Sequence, residues 1–484
     1  MKNDFAPINK IPSEVFLLIP EYWESDDEDE DLITMTHVCR GWREILIARS
    51  SLWTRLFCAN TDKTRFYIER SKVSPLCLSL YKSRVTTYLE SAFILVVPHI
   101  SRLKSLTIEG EWEIVQNLTP HLSCPIPLLR ELAIEIFRDP APVLEGTLFN
   151  GDLSSLRSLT LDGVTTNLPW RNMSKLTTFK LSFSPEEEPS TTQLLDFFED
   201  AYCLRDITLH HSIPPSSDAP PGRVVSLPSL KTLTIDADEE HSILLNHFSI
   251  PAGASLTLEF RFSGDRSPLL AFLPKTLGNI RNILSPTLVN IYFERTEKYV
   301  KLGGPNGELC MLGHWRDCEE NSSFILNHHI LQSLTNFDLS GIQRLAIAMY
   351  RPPVVGEIDG SAPRHFLLPM EGLRALTLNQ CDNLPFIAAL DPVQNLSERV
   401  LCPKLEELVL YISRMVFFNI KELMSMAKAR ASRGMKLLSI TIVGLGEPLP
   451  GEETFKLREY VTRVDYRVGG EQPRWDGVLE GEDN

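Results

Sequence analysis

The feature that most constrains the fold is a six-residue apolar phrase, Leu-x-x-Leu-x-Leu, which recurs along most of the chain with occasional Ile or Phe substitutions. The last two apolar positions are separated by one residue, so in a strand they point to one face while the residue between them points to the other. Ten copies have the same spacing of their three apolar positions. Their first residues are Leu103, Leu129, Leu156, Leu176, Leu204, Leu230, Ile342, Leu373, Leu405 and Leu437. Ten unrelated strands with alternating residues would not share this spacing, so the pattern predicts an array of repeats.

The spacing of the copies indicates the type of array. Successive first residues lie 20 to 28 positions apart in the first six copies and 31 or 32 apart in the last four. This phrase at a period of about 20–30 residues is typical of leucine-rich repeats, in which a short strand is followed by a return segment that is often helical. The expected fold class is therefore α/β, with an irregular solenoid of strands and helices over residues 99–468.

The array is interrupted near residues 260–340, where the phrase is absent. Within this interval, two alternating segments, 299–302 and 308–312, flank a turn sequence at 303–307 that is rich in Gly, Pro and Asn. Such turn residues supply the backbone freedom that a tight connection needs. We therefore predict a β-hairpin and interpret the interval as an insertion into the solenoid.

Composition limits the functional classes. The chain has 63 acidic residues and 48 Lys and Arg, a formal net charge of −15, whereas nucleic acids and anionic membranes attract clustered positive charge. Its nine cysteines are scattered, which favours reduced thiols over a disulfide framework. We see no signal peptide and no apolar run of the ~18–20 residues that a membrane span needs. We expect an intracellular protein, cytoplasmic, nuclear or both, with neither nucleic acid nor membrane as a partner.

The first sixty residues have a different pattern, that of three short amphipathic helices. Pro12 suits the first position of a helix, and Val15 and Ile19 follow on one stripe. A second stripe begins at Leu32, after seven acidic residues in eight positions, and a third contains Trp42. Three short helices bury little apolar surface, and this segment shows no metal spacing or disulfide pattern. We therefore expect a helical module that needs a partner surface.

These residues resemble an F-box. The matching motifs are Ile11-Pro12-Ser13-Glu14-Val15, His37-Val38-Cys39-Arg40-Gly41-Trp42-Arg43 and Ser51-Leu52-Trp53. The likeness covers about residues 8–80 and is greatest to F-box proteins of mushroom-forming fungi. It implies an all-α F-box module at 8–57 that docks on a Skp-family linker protein and, through it, on the cullin of a ubiquitin ligase. The implied linker-binding residues, any of which could instead be core of the module, are Ile11, Pro12, Val15, Ile19, Val38, Trp42, Leu52 and Trp53.

This resemblance suggests a division of the remaining chain and of its function. We interpret residues 58–98 as a connecting helix and a first irregular repeat, and residues 469–484 as a disordered acidic tail. The expected function is the substrate-recognition subunit of a Skp–cullin–F-box ligase, with an unknown target protein bound by the repeats. Two alternatives remain, a non-catalytic interaction scaffold outside ubiquitination and an enzyme whose site is not recognisable.

In a solenoid the strands line the concave face, where partners commonly bind. The residue after the third apolar position of each phrase points to that face. The candidates for target binding at this position are Glu109, Glu135, Asp162, His210, Asp236, Asn379 and Tyr411. The four carboxylates favour a basic partner, although a solvated face explains them equally well.

No residue pattern in the sequence indicates catalysis, a metal or a cofactor. The nearest approach to a metal site is Cys310, His314 and Cys318, whose wide spacing and missing fourth ligand favour an ordinary loop. The glycine-rich turn at 303–307 lacks the Lys-Ser/Thr of a phosphate-binding loop. The sequence therefore predicts a non-catalytic protein without a metal site and without cofactors.

Overall fold

The computed structural model describes a set of chain segments that fall into two compact units. The described residues are 11–21, 28–58, 60–81, 87–136, 143–144, 148–166, 173–182, 190–210, 219–220, 222–238, 244–262, 273, 279–280, 286–293, 297–304, 307–315, 330–331, 334, 337–349, 361–379, 383–392, 400–412, 419–444 and 455–468. Unit 1 comprises residues 1–188 and 196–204, and unit 2 comprises residues 189–195 and 205–484. Both units are mixed α/β.

Unit 1 begins with the three helices that the amphipathic stripes predict: α1 (Ser13–Glu21), α2 (Glu28–Val38) and α3 (Arg40–Ala48). The second helix begins at Glu28, so the end of the acidic run forms its first turn, where carboxylates favour the positive helix end. Cys39 lies between α2 and α3, and its Sγ accepts a hydrogen bond from the Trp42 backbone N–H at 3.4 Å. A 3-10 turn, Ser50–Trp53, closes this helical region.

A parallel sheet follows in unit 1, in the strand order β1-β2-β3-β4-β6-β8. The apolar positions of the phrase pair side by side across its neighbouring strands and are buried. The first strand lies within the predicted 8–57 module. The elements are β1 (Arg55–Phe57), α4 (Thr61–Ser71), β2 (Leu76–Tyr81), α5 (Thr87–Val96), β3 (Leu103–Gly110), α6 (Trp112–Leu118), β4 (Glu131–Ile136), β5 (Val143–Leu144), β6 (Ser158–Asp162), β7 (Thr165–Thr166), β8 (Thr178–Ser182) and α7 (Thr191–Asp200), whose second half lies in unit 1.

In unit 2 the paired strands follow the order β9-β11-β13-β16-β15-β14-β17-β18-β19-β20-β21. Its elements are β9 (Asp206–His210), β10 (Val225–Ser226), β11 (Thr232–Asp238), β12 (Phe248–Ser249), β13 (Ser255–Phe262), β14 (Leu288–Phe293), β15 (Glu297–Gly304), β16 (Gly307–Trp315), β17 (Arg344–Met349), α8 (Ser361–Leu367), β18 (Ala375–Asn379), α9 (Asn383–Leu390), β19 (Glu407–Ile412), α10 (Ile420–Ser432), β20 (Ser439–Gly444) and β21 (Arg463–Val468). All pairings are parallel except β14–β15 and β15–β16.

The predicted hairpin is confirmed, since β15 and β16 pair antiparallel from Glu297–His314 to Gly304–Gly307. This interval does not leave the sheet. The strand β16 pairs parallel with β13, and β14 pairs parallel with β17. The segment predicted as an insertion therefore continues the sheet with the order of three strands reversed.

In both units the apolar residues of the phrase lie on one face of the strands, and the residue between the last two lies on the other. We call the face that carries Leu, Ile and Phe of the phrase the core face, and the opposite face the outward face. Leu106, Leu132 and Leu159 are laterally paired on the core face and buried. The residue that follows each leucine, Thr107, Ala133 or Thr160, lies on the outward face and is partly exposed. The outward face is therefore where polar side chains from distant repeats meet.

Two further observations concern cysteines and helices. The seven described cysteines are all free thiols, as their scattered spacing predicts, and Cys318 and Cys381 lie outside the described residues. Within the described segments, every helix is too short or too polar to cross a bilayer. The predicted tail, 469–484, also lies outside the described residues.

Candidate partner-binding surfaces

The outer side of α1 is apolar. Ile11, Val15, Leu18 and Ile19 are between 36% and 49% exposed, and Pro12 at the start of the helix is exposed as well. We call these five residues the α1 surface. Val15, Leu18 and Ile19 share one helical stripe because they stand three and four residues apart. Exposed aliphatic side chains gathered on one stripe indicate an interaction site, whereas scattered ones do not.

The opposite side of α1 packs on the rest of the helical region. Phe16 is buried, and its ring lies 4.7 Å from that of Trp42 on α3. Arg43 on α3 donates a hydrogen bond from Nε to the Thr36 carbonyl at 2.8 Å, which ties α3 to α2. Val38, at the end of α2, is 53% exposed. Of the predicted linker-binding residues, Ile11, Pro12, Val15, Ile19 and Val38 are therefore accessible.

The other three predicted linker-binding residues are less accessible. Trp42 and Leu52 are half-buried. Trp53 is fully buried, donates a hydrogen bond from Nε1 to the Leu46 carbonyl at 2.9 Å, and meets the Phe66 and Tyr67 rings edge-on. The assignment of Trp53 to the contact surface is wrong, because a side chain with no exposed area supports the surface from below. Leu18, by contrast, is exposed and was not among the predicted contacts, although its position on the stripe indicated it.

Three carboxylates lie side by side on the outward face of unit 1. Glu109 on β3 pairs with Glu135 on β4, which pairs with Asp162 on β6. Lys180 on β8 approaches Asp162 at 3.9 Å between Nζ and Oδ2. Burial raises the pKa of the Glu135 carboxyl, Lys180 opposes this, and the two neighbouring carboxylates add to it. The predicted acidic first half is thus a contiguous row, half-exposed throughout.

In unit 2 the predicted residues His210 and Asp236 are also neighbours. They are in register on β9 and β11, with 3.4 Å between His210 Nδ1 and Asp236 Oδ2. Arg261 on β13 donates to the same oxygen at 2.8 Å. Asp236 is buried and is bound by a cation of its own chain, so it contributes little to a negative field. Sequence reasoning missed Arg261 because β13 lacks a complete phrase.

Two of the three residues that come nearest to a metal-site spacing in the sequence lie in a strand. Cys310 and His314 both belong to β16, so the interpretation of this segment as a loop is wrong for these two residues, and Cys318 lies outside the described residues. They do not converge: the Cys310 Sγ donates to the Tyr299 hydroxyl at 3.0 Å, whereas His314 lies between Glu259 and Glu297, at 3.1 and 3.4 Å. Among the described residues there is no group of three or more His, Cys, Asp or Glu side chains that could hold a metal ion.

The His314 imidazole joins strands that are distant in sequence. The close contact with the Glu259 carboxylate on β13 raises the pKa of the imidazole above the usual value of 6.5, and the charge of Glu297 adds to this, while burial and Arg261 oppose it. A raised pKa in the folded state means that the stabilisation is fully present below pH ~6.5 and is lost as pH rises through the folded-state pKa.

We expect His314→Gln to lower the free energy of unfolding at pH 5.5 by less than about 1 kcal/mol, because the pair is partly exposed. At pH 8.5 the variant and the parent protein should be equally stable, since the imidazole is then neutral. Urea denaturation of both proteins at the two pH values checks this, and an NMR titration of the His314 ring gives its pKa directly. A difference that grows with pH would contradict the assignment.

The last two candidates, Asn379 and Tyr411, are in register on β18 and β19. Asn379 is buried although it lies on the outward face, and Tyr411 is half-exposed. They are separated in sequence from the acidic row and lie in the other unit. The seven candidates therefore divide between the units, three in unit 1 and four in unit 2.

The N-terminal helical region matches a known protein family. Residues 8–59 match the family model for F-box-like domains. The comparison with curated proteins found no match to the chain. The family match ends before the repeats, so the leucine-rich-repeat assignment and the fungal resemblance stay predictions. The chain carries an F-box-like domain at residues 8–59, a protein-interaction module of the type that typically joins a protein to a ubiquitin ligase through a Skp-like linker.

Proposed function

We propose that this chain is the substrate receptor of a Skp–cullin–F-box ubiquitin ligase. The F-box-like domain binds a Skp-family linker and, through it, a cullin. The repeated strands of residues 99–468 are leucine-rich repeats that hold a target protein. The observation that carries the proposal is the apolar α1 surface, which lies within the residues that match the F-box-like family.

The α1 surface supports a protein partner on energetic grounds. Covering an aliphatic side chain contributes about 25 cal/mol for each Å² of apolar surface removed from water. Val15, Leu18 and Ile19 stand on one stripe, so a single complementary groove can cover all three at once. Helix-in-groove recognition uses this spacing of anchors.

The proposed role requires no covalent chemistry by this chain. A receptor raises the local concentration of a target near the ubiquitin-carrying enzyme and orients the target lysines. The outward faces of the strands in the two units carry polar and aromatic side chains that suit such binding. The alternative, a scaffold outside ubiquitination, would bind the linker without a cullin, so co-purification of a cullin distinguishes the two.

We expect Val15→Asp to weaken binding to a purified Skp-family linker by at least about 100-fold, because a carboxylate would be buried in an apolar interface. Folding should be unaffected, since Val15 is half-exposed in the free chain. The Pro12→Ala/Val38→Ala double variant should weaken binding by a smaller factor. Isothermal titration calorimetry with the intact chain measures all three affinities.

The matched control is Val73→Asp. Val73 is also in unit 1, is 89% exposed and lies outside the α1 surface. This control should bind the linker like the parent protein. Failure of the folded parent chain to bind any Skp-family linker would refute the proposed function, and equal losses in both valine variants would refute the assignment to the α1 surface.

A further inference from the structure

The outward face of unit 2 carries a row in which two small residues lie between two tyrosines. Four neighbouring strands, β14, β17, β18 and β19, place Tyr292, Ala348, Asn379 and Tyr411 in one lateral row. At about 4.8 Å per strand, the two tyrosine Cα atoms are about 14 Å apart. The small Ala348 and the short Asn379 form the floor, and half-exposed tyrosines form the walls. We call this row the Asn379 groove.

The floor contains a hydrogen-bond acceptor without a donor. Asn379 is 4% exposed, and its Oδ1 has no hydrogen-bond partner among the described residues. A buried amide oxygen normally has a partner, and leaving it unpaired destabilises the folded protein. An asparagine at this position is therefore poor for stability alone. A ligand that supplies an N–H donor would remove the penalty.

The walls and the overall charge limit the chemistry of that donor. Tyrosine faces attract cations, and a guanidinium stacks on them better than other side chains do. The chain has a formal net charge of −15, which favours the approach of a cationic segment. A carboxylate would meet an acceptor, and an aliphatic side chain would leave the amide unpaired. Because Asn379 Oδ1 has almost no exposed area, neighbouring side chains must shift before a slender head group can reach it.

We propose that the Asn379 groove binds an arginine side chain of the target protein, with the guanidinium donating to Asn379 Oδ1 between Tyr292 and Tyr411. The proposal deepens the proposed function and rests on it, since it names the partner chemistry for the target-binding face. Tyrosine and asparagine are also typical of adaptable protein-binding surfaces.

The test uses the intact chain, the peptide hexa-arginine as the probe and the variant Asn379→Leu. This change removes the amide at similar volume and leaves the net charge unaltered, so the general attraction to a cationic peptide is preserved. At 300 mM salt, we expect the affinity for hexa-arginine to fall at least about tenfold, the effect of one charge-assisted hydrogen bond. Meanwhile the melting temperature should rise by roughly 2–4 °C, because an unpaired polar group is gone.

A second variant and a second probe keep the test decisive. Tyr411→Leu should also weaken hexa-arginine binding, whereas Thr208→Val, which removes a polar group from the same face at β9, should not. Hexalysine should bind at least about threefold more weakly than hexa-arginine, because an ammonium stacks less well. Unchanged hexa-arginine affinity in both groove variants, or equal affinity for the two peptides, would overturn the proposal.

Failure here is distinguishable from failure of the proposed function. Linker binding depends on the α1 surface in unit 1, and the groove lies in unit 2. A chain that binds the linker but not hexa-arginine refutes the groove alone. A chain that binds hexa-arginine through Asn379 but no Skp-family linker refutes the ligase role and leaves the groove assigned.

Discussion

Trp53→Ala is expected to lower the free energy of unfolding of unit 1 by about 4 kcal/mol. The indole is fully buried and is held from three directions. Its Nε1 donates to the Leu46 carbonyl at 2.9 Å, and its ring contacts Phe66 and Tyr67 with centroids 5.2 and 5.1 Å apart. Removing it creates a large cavity and also removes one of the two donors to the Leu46 carbonyl, which keeps only the Arg49 backbone N–H at 3.3 Å.

The same variant should lose linker binding although Trp53 has no exposed area. The helices that carry the α1 surface rest on this core, so loosening it disperses the contact residues. Urea denaturation and a titration with the linker test both effects. Tyr202→Ala is the control, because Tyr202 is a 56% exposed aromatic residue of unit 1.

This result separates support from contact. Val15→Asp should weaken binding strongly in a stable protein, whereas Trp53→Ala should lose stability and binding together. A Trp53→Ala protein as stable as the parent would show that the indole is not core. A loss of binding without a loss of stability would return Trp53 to the contact surface.

The strands were the most predictable part of the fold. Alternation is a local property, so Leu103-x-x-Leu106-x-Ile108 is sufficient to predict that β3 has one buried face, and its extent follows within a few residues. The three N-terminal helices were predictable for the same reason. In each case the apolar periodicity and the turn or cap residues favour the same element, so the sequence predicts one structure.

Two strands of unit 2 lack the complete phrase. In β13 and β14 the last two apolar positions are present, but the first position is Gly253 or Pro286. The strand order around them depends on pairing between residues far apart in sequence. No local pattern indicates that β16 lies next to β13 or that β14 lies next to β17.

Surface and core were also hard to separate at the candidate sites. An aromatic residue on an amphipathic helix or turn faces inward or outward with the same spacing, as Trp53 shows. The register predicted that Glu109, Glu135 and Asp162 would be neighbours once the strands were known to be consecutive. The contact of Arg261 with Asp236 was not predictable, because the guanidinium reaches it from a strand outside the phrase.

Arg430 provides the second large effect, in unit 2. It lies in the last turn of α10 with no exposed area, and its two terminal nitrogens donate to the Leu401 and Cys402 carbonyls at 3.1 and 2.8 Å. Cys402 has a positive φ of 46°, a conformation that costs free energy for a non-glycine residue. The guanidinium thus holds a strained turn against the helix.

The charge of Arg430 is not matched by the neighbouring thiol. Burial raises the pKa of Cys402 to about 12, so the thiol is neutral at physiological pH. Burial also lowers the pKa of the guanidinium. The guanidinium is therefore stabilised mainly by backbone carbonyl dipoles. Its contribution to the stability of the fold depends on the planar geometry that lets both terminal nitrogens donate at once.

Arg430→Ala is expected to lower the free energy of unfolding by about 3 kcal/mol, since the Leu401 and Cys402 carbonyls each lose a charged donor and removing a buried charge offsets only part of this loss. The Cys402 carbonyl keeps one donor, the Leu405 backbone N–H at 3.1 Å. Arg430→Lys should lose about 1.5 kcal/mol, because an ammonium does not reproduce the two-pronged geometry. The matched control, Arg433→Ala, removes an exposed arginine three residues further on and should change stability by less than about 0.5 kcal/mol.

Hydrogen exchange gives a local measurement in addition to urea denaturation. The Met435 amide donates to the Arg430 carbonyl at 3.0 Å and should exchange faster in Arg430→Ala. Linker affinity should be unchanged, because the α1 surface belongs to unit 1. If Arg430→Ala and Arg433→Ala were equally stable, the guanidinium would not hold the turn, and if Arg430→Lys matched the parent protein, charge alone would suffice. A loss of linker binding in Trp53→Ala but not in Arg430→Ala would show that the F-box-like domain and unit 2 depend on separate cores.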